Sequence, residues 1–221
     1  MQCDHSPKAL VIGDIHGCAD ELEELLGQVP DLHSRQVISV GDIIHKGPKS
    51  RKALELLEQH HAWSVLGNHE LKFLKYVEHG FSGHPTMDPL KEQLGDRLDY
   101  WCSYLKNLPS YIETPDWLIV HAGLVPHLHP RDTSLQLITN IRTWDGLGDV
   151  LESDHDPAWF ECRSDKKLVI FGHWARRGLV VRPHEIGLDS GCVYGKQLSA
   201  VMLPERTLIH VDAHHTYVAI T

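Results

Sequence analysis

The sequence has no paired cysteines and no long apolar runs, and it has fewer basic residues than acidic ones. Its five cysteines (Cys3, Cys18, Cys102, Cys162 and Cys192) are odd in number and scattered, with no CxxC spacing. That argues against a disulfide framework and for free thiols in a reducing cytoplasm. No run of about 18 apolar residues occurs, so no membrane-spanning helix is expected. The first apolar run starts near Lys8 and reaches Asp14 within a few residues, which leaves no room for a removable signal peptide. With 21 Lys and Arg against 30 Asp and Glu, the formal charge is −9. A nucleic-acid binder would need a basic face, so none is expected. A small anionic substrate stays open, because bound cations can dominate a local field. Internal repeats, low-complexity tracts and linkers are also missing. The 221 residues therefore fit one domain over 1–221, with a modest insertion.

What is present is a series of short apolar runs, each ended by a polar block. Residues 8–13 (KALVIG), 36–41 (QVISVG) and 62–67 (AWSVLG) read as buried strands. Between them, 19–28 and 49–60 repeat apolar positions at helical spacing. Strands alternating with helices at this pitch indicate an α/β fold with parallel strands, whose ligands collect beyond the strand carboxyl ends. Residues 69–107 read as largely helical, with a loop around Gly80–Pro85, and 79–107 as a helical cap or insert. Further strands are expected at 117–120 and 167–171. A late set follows at 178–182, 186–189, 198–204, 206–212 and 216–220, with ProGluArg at 204–206 as a hairpin turn. The late strands make the sheet mixed.

The polar blocks are GDIHG at 13–17, GDIIHKGP at 41–48, GNHE at 67–70, HAG at 121–123 and GH at 172–173. In an extended loop, residues two apart point the same way, so Asp14 and His16 can grip one ion together. Taken alone, that block reads better as a capped helix start. The second block adds Asp42, a carboxylate able to bridge two metals. Asn68 offers a neutral oxygen, His69 an acid, and His121 and His173 two nitrogens. Oxygen and nitrogen donors without thiolate suit Mn²⁺, Fe²⁺, Zn²⁺ or Co²⁺ rather than Ca²⁺. Any one of these residues could be incidental; five blocks in this order, each after an apolar run, are not. Of the 18 histidines, most of the remainder, such as His60–His61 and His214–His215, read as surface residues.

The strings GDIHGCADELEELL, GDIIHKGPKS, GNHE, WLIVHAGLVP, NIR at 140–142 and GLDSGCVYGKQLSAVMLP at 187–204 resemble the calcineurin-like metallophosphoesterases. Within them the chain is most similar to the phosphoprotein-phosphatase-like branch, near the bacterial diadenosine tetraphosphatases and ApaH-like phosphatases. The resemblance implies a sandwich of mixed sheets flanked by helices, with a metal site at the strand carboxyl ends. It implies two divalent ions, Mn²⁺ foremost. Asp14, His16 and Asp42 would hold one, and Asp42, Asn68, His121 and His173 the other. A metal-bound hydroxide would attack phosphorus in line, and His69 would protonate the leaving oxygen.

Two positions depart from the protein phosphatases of this branch, which read GDxxDRG. His45 stands where their Asp supports the catalytic histidine, and Lys46 where they have Arg. A histidine cannot support His69 as a carboxylate would, so either Glu70 or Asp20 does, or the leaving group needs little protonation. The second case favours phosphoanhydrides over phosphoproteins. Lys46 replaces a planar fork by a point charge that still binds phosphate. Arg142 and Tyr194 are further candidates to meet substrate, whereas Arg176 and Arg177 read as a solvated loop. The expectation is hydrolysis of dinucleoside polyphosphates such as diadenosine tetraphosphate. A protein phosphatase is the alternative, followed by a polyphosphatase or a metal-binding non-enzyme.

Overall fold

Ala9–Ile12 is buried on both faces, because its side chains alternate between two cores. Ala9 and Val11 face one cluster while Leu10 and Ile12 face another. The computed structural model describes residues 6–219; Cys3, and residue 220 of the expected last strand, lie outside them. In chain order the first half runs β1 (Ala9–Ile12), α1 (Ala19–Gly27), β2 (Gln36–Ser39), α2 (Ser50–Gln59), β3 (Trp63–Ser64), α3 (Asn68–Glu78), α4 (Met87–Leu94) and α5 (Leu98–Lys106). The second half runs β4 (Tyr111–Glu113), β5 (Trp117–Val120), α6 (Leu135–Asn140), β6 (Leu168–Phe171), β7 (Val180–Val181), β8 (Glu185–Gly187), β9 (Gln197–Leu203) and β10 (Thr207–Asp212).

The strands divide into two five-stranded sheets, ordered β10-β9-β1-β2-β3 and β4-β5-β6-β8-β7. In the first, β1, β2 and β3 are parallel and the β9–β10 hairpin closes one edge antiparallel. In the second, β5, β6 and β8 are parallel, with β4 and β7 antiparallel at the edges. The sheets pack face to face through Val11, Ile38, Val65, Ile119, Ile170 and Val201. Helices α1 to α5 cover the outside of the first sheet, where Leu10 and Ile12 share a core with Leu22, Leu57, Phe73 and Trp101. Ile138, Trp159 and Phe160 cover the outside of the second, against Val120 and Phe171. Each fully buried side chain of this kind gains roughly 1.5–3 kcal/mol on leaving water, so three apolar layers hold the sandwich together.

Most expected elements are present within one or two residues, including the turn at 204–206. The expected strand at 62–67 shortens to β3, because the chain must turn at Gly67 to start α3. Residues 216–219 do not form a strand; Thr216 makes an isolated bridge to Tyr194. Strand β4 and helix α6 were not expected. The late antiparallel strands do not extend a single sheet either. Strands β7 and β10 are each an edge of one sheet, and β9 lies between β10 and β1.

Candidate active site

The parallel strands of both sheets end at the same rim of the sandwich. Asp14, Asp42 and Asn68 follow β1, β2 and β3; His121, His173 and Asp189 follow β5, β6 and β8. Three residues thus come from each sheet, all buried. The backbone is bent hard to place them. His16, Asp42, His45, Lys46 and His173 all have positive φ, between 49° and 77°. For residues with a Cβ this costs of order 1–3 kcal/mol each. Two glycines are needed for steric reasons alone. A Cβ on Gly172 would stand 1.9 Å from Asp14 Oδ1, and one on Gly67 2.3 Å from Asp42 Oδ1.

Asp42 is the hub. His16 Nε2 lies 3.6 Å from its Oδ2, and His121 Nε2 lies 3.5 Å from its Oδ1. Its carboxylate belongs to two sets of donors whose atoms lie within 4.8 Å of one another: His16, Asp42 and His69, and Asp42, His121 and His173. Asp14 stands beside them, its two oxygens each 3.1 Å from the His173 N–H. The histidine tautomers are set by the backbone. His121 Nδ1 is 2.8 Å from the Val40 carbonyl and His16 Nδ1 is 3.3 Å from that of Ile44, while His173 bonds the backbone of Asn140. Each ring therefore spends its N–H outward and turns a lone pair inward, as a metal ligand must.

Asn68 Oδ1 sits 3.0 Å from His121 Nε2 and 3.2 Å from His173 Nδ1. Three lone pairs converge there, which a cation between them would satisfy. With the amide reversed, its nitrogen would donate to both rings and to Asp42, and its oxygen would accept from Lys72 at 3.2 Å. The two orientations suit the site with and without a cation.

Electrostatics favour the same reading. Burial, then Asp189 and Asp42, push the Asp14 carboxyl well above its usual range. Burial likewise lifts Asp42 and Asp189 to about 6, while it pushes His16, His121 and His173 down. Neutral imidazoles beside crowded buried carboxylates are costly unless cations compensate them. The donor set fits divalent metal ions.

His69 stands at the edge of this group, its Nε2 3.9 Å from Asp42 Oδ2. Burial, then His16 and Lys46, lower its pKa. Neither expected supporter reaches it. Asp20 pairs with Lys49 and Lys52 at the surface. The Glu70 carboxylate accepts four backbone N–H groups, from Asp42, Ile43, Ile44 and Gly67, at 2.8 to 3.2 Å. The partner of His69 is His45 itself, Nδ1 to Nδ1 at 2.6 Å.

A cleft of about 330 Å³ opens over these groups, lined by Lys46, Lys72, Arg142, Arg176, Asp189 and Tyr194 among others. Lys46 Nζ donates to Tyr194 Oη at 2.8 Å and lies 3.2 Å from His16 Nε2. Arg142 pairs with Glu152 through Nη1, and its buried Nε has no partner among the described residues. Arg176 is exposed in a turn, as expected, yet lines the cleft, whereas Arg177 lies over Phe160 and Trp174 and pairs with Glu161. Sequence reasoning missed Lys72 and Asp189. Asp189 had a signal, since it ends an apolar run as the other blocks do; Lys72 had none.

Residues 7–199 match the calcineurin-like phosphoesterase family. The symmetrical bis(5'-nucleosyl)-tetraphosphatase of Janthinobacterium sp. (strain Marseille) is 31% identical, over 90% of this chain and 94% of its own length. The asymmetrical bis(5'-nucleosyl)-tetraphosphatase of Oceanobacillus iheyensis is 27% identical, over 95% and 94%. Among solved structures, a candidate diadenosine tetraphosphatase superposes with a TM-score of 0.85 at 33% identity, covering 96% of this chain and 97% of that one. A cold-active protein-tyrosine phosphatase of a Shewanella species shares the fold alone, with a TM-score of 0.60 at 17% identity, over 98% and 80%. The family match takes in β1 to β8 and every strand-end donor between them, so this chain belongs to the calcineurin-like phosphoesterases and is a hydrolase of the kind that works with divalent metal ions.

Proposed function

We propose that this hydrolase cleaves phosphoanhydrides, with dinucleoside polyphosphates such as diadenosine tetraphosphate as its substrates. The observation that carries the reading is the cleft itself. Lys46, Lys72, Arg142 and Arg176 line a single cavity beside the donor cluster on a chain whose formal charge is −9. Such local inversion of sign suits a polyanion longer than one phosphate. The names of the relatives that match over nearly the whole length support the same class.

In this reading Asp14, His16 and Asp42 hold one divalent ion, and Asp42, Asn68, His121 and His173 the other, with Mn²⁺ the first candidate. Bound there, the ions would supply Lewis-acid stabilisation of phosphoryl charge and lower the pKa of water. The protein's part is to orient. Lys46, Arg142 and Tyr194 meet the phosphate oxygens, joined by Lys72 and Arg176. His69 turns Nε2 to the leaving oxygen. Its neighbour His45 is held neutral, its pKa pushed down to about 4 by burial and then by Lys46. A neutral pair stabilises an imidazolium less than a carboxylate would, so the site suits leaving groups that need little protonation, such as a nucleoside diphosphate. We also read the chain as one domain. Leu90, Leu94, Trp101 and Leu105 of the 79–107 segment are buried in the same core as Leu22 and Leu57. The segment thus packs into that core, behind His45 rather than along the cleft.

Incubation with Mn²⁺ and diadenosine tetraphosphate, with the products resolved by chromatography, tests the proposal. Two ADP, or ATP with AMP, are the expected products, and the pair observed fixes which anhydride bridge is broken. Turnover of phosphopeptides with none of any polyphosphate would overturn it.

A further inference from the structure

His45 is itself held from the far side. Its Nε2 lies 2.8 Å from Thr86 Oγ1, at the start of α4. Thr86, His45 and His69 therefore form one continuous chain of hydrogen bonds, ending at Nε2, the ring nitrogen of His69 that faces Asp42. Three residues far apart in sequence meet here, and the positive φ of His45, 77°, serves to put its ring between the other two.

We propose that Thr86 is a positioning residue whose hydroxyl, acting through His45, fixes the tautomer in which neutral His69 donates an Nε2–H hydrogen bond, without giving up the proton, to the leaving oxygen. The inference rests on the reading above that His69 faces that oxygen. The facing Nδ1 atoms of His45 and His69 share one proton, so the direction of the whole chain turns on which end starts it. If Thr86 donates to His45 Nε2, the proton of His45 lies on Nδ1 and is donated to His69 Nδ1. The proton of His69 then lies on Nε2. If the chain runs the other way, His69 shows the substrate a lone pair.

Two observations select the first direction. Thr86 Oγ1 has one alternative acceptor, His84 Nδ1, at the longer distance of 3.3 Å. That nitrogen already faces the backbone N–H groups of Thr86 and Met87, each at 3.3 Å. At the other end, His69 Nε2 looks toward the Asp42 carboxylate at 3.9 Å. Negative charge there favours N–H over a lone pair. The neutral tautomer is then fixed without a carboxylate, which is what a histidine at position 45 can contribute and an aspartate would do through charge instead.

The test uses Thr86→Val, which keeps the shape and removes the hydroxyl, with Thr86→Ser as rescue. In Mg²⁺-loaded protein, ¹⁵N spectra of the histidines should show Nε2–H for His69 in the wild type and in Thr86→Ser. In Thr86→Val they should show an Nδ1–H or mixed state. With aryl phosphates of graded leaving ability, Thr86→Val should lose about tenfold in kcat on phenyl phosphate and less than about twofold on 4-nitrophenyl phosphate, with KM nearly constant. Thr86→Ser should restore both, and thermal unfolding should confirm that both variants fold. An unchanged His69 tautomer in Thr86→Val, or an equal loss on both esters, would overturn the inference. If the wild type cleaves no phosphate compound, the functional reading fails separately, and the ¹⁵N spectra still decide the tautomer.

Discussion

Glu70 sees no solvent and, among the described residues, pairs with no cleft-lining cation, yet the loop that carries Asp42 hangs on it. Its two oxygens collect N–H groups from Asp42, Ile43, Ile44 and Gly67. Burial and the neighbouring Asp42 carboxylate push its pKa up to about 7, against the pull of those donors. Glu70→Gln would replace one acceptor by an NH₂ that faces N–H groups. That should destabilise the fold by about 3 kcal/mol, read in denaturant unfolding, and lower the metal content on purification. A melt unchanged within error would show that the loop is held elsewhere. At this scale the sequence exposed the donors and hid their supports. Asp14, His16 and Asp42 announce themselves because a glycine stands beside each block. Glu70 sits inside the GNHE string and yet acts on residues 41–44, and Thr86 acts across 41 positions on His45. No local pattern carries either pairing.

At the scale of elements, the close fit of strand end to strand end leaves little room. Gly172 follows β6, and its missing side chain is what lets Asp14 lie under the His173 N–H. Gly172→Ala should cost about 100-fold in kcat through displacement of Asp14 by an ångström or so. Gly27, the last residue of α1, meets nothing within 4 Å of a built Cβ. There Gly27→Ala should stabilise by about 0.4–1 kcal/mol and leave kcat alone. The β9–β10 hairpin gives a pH-dependent case. Arg35, just before β2, forks onto Glu205 in the hairpin turn, at 2.8 and 2.9 Å. That bond holds the Glu205 carboxyl down at about 2. A lowered folded-state pKa gives stability that is complete above the ordinary glutamate range and lost as pH falls through about 2. Glu205→Gln should therefore lower the unfolding midpoint near neutrality, by a margin that thermal melts across pH would measure. The gap from wild type should narrow steadily below about pH 4.5. Elements with a helical period or within an apolar run showed themselves in the sequence, as α1, α2 and β5 did. Strand β4, three residues at a sheet edge, and α6, six residues, are too short for a period to be read. The resemblance implied a sandwich of mixed sheets, and two sheets are present, but the order of strands within each was hidden, since it is a matter of long-range pairing and not of local pattern.

The whole molecule sets a cationic cleft into an acidic body. The formal charge of −9 repels polyanions at long range, and only the cleft residues and any bound cations reverse that near the site. Lys72 shows how the reversal works. It lies on α3, lines the cleft, and stands 3.2 Å from the Asn68 amide when that amide is turned toward it. Were a cation to hold the Asn68 oxygen, the ammonium would be free to face substrate. Lys72→Met keeps the aliphatic stem and removes the charge. It should raise KM for diadenosine tetraphosphate about tenfold, and KM for 4-nitrophenyl phosphate only about twofold, because a single phosphate does not extend as far as a tetraphosphate bridge. The wild-type KM for the tetraphosphate should also climb with salt, since partly exposed charges are screened beyond about 10 Å at 0.1 M, and Lys72→Met should flatten that slope. An equal rise of KM for both substrates would mean that Lys72 acts only through Asn68 and the metal site, and that the polyphosphate runs toward Lys46 and Tyr194 instead.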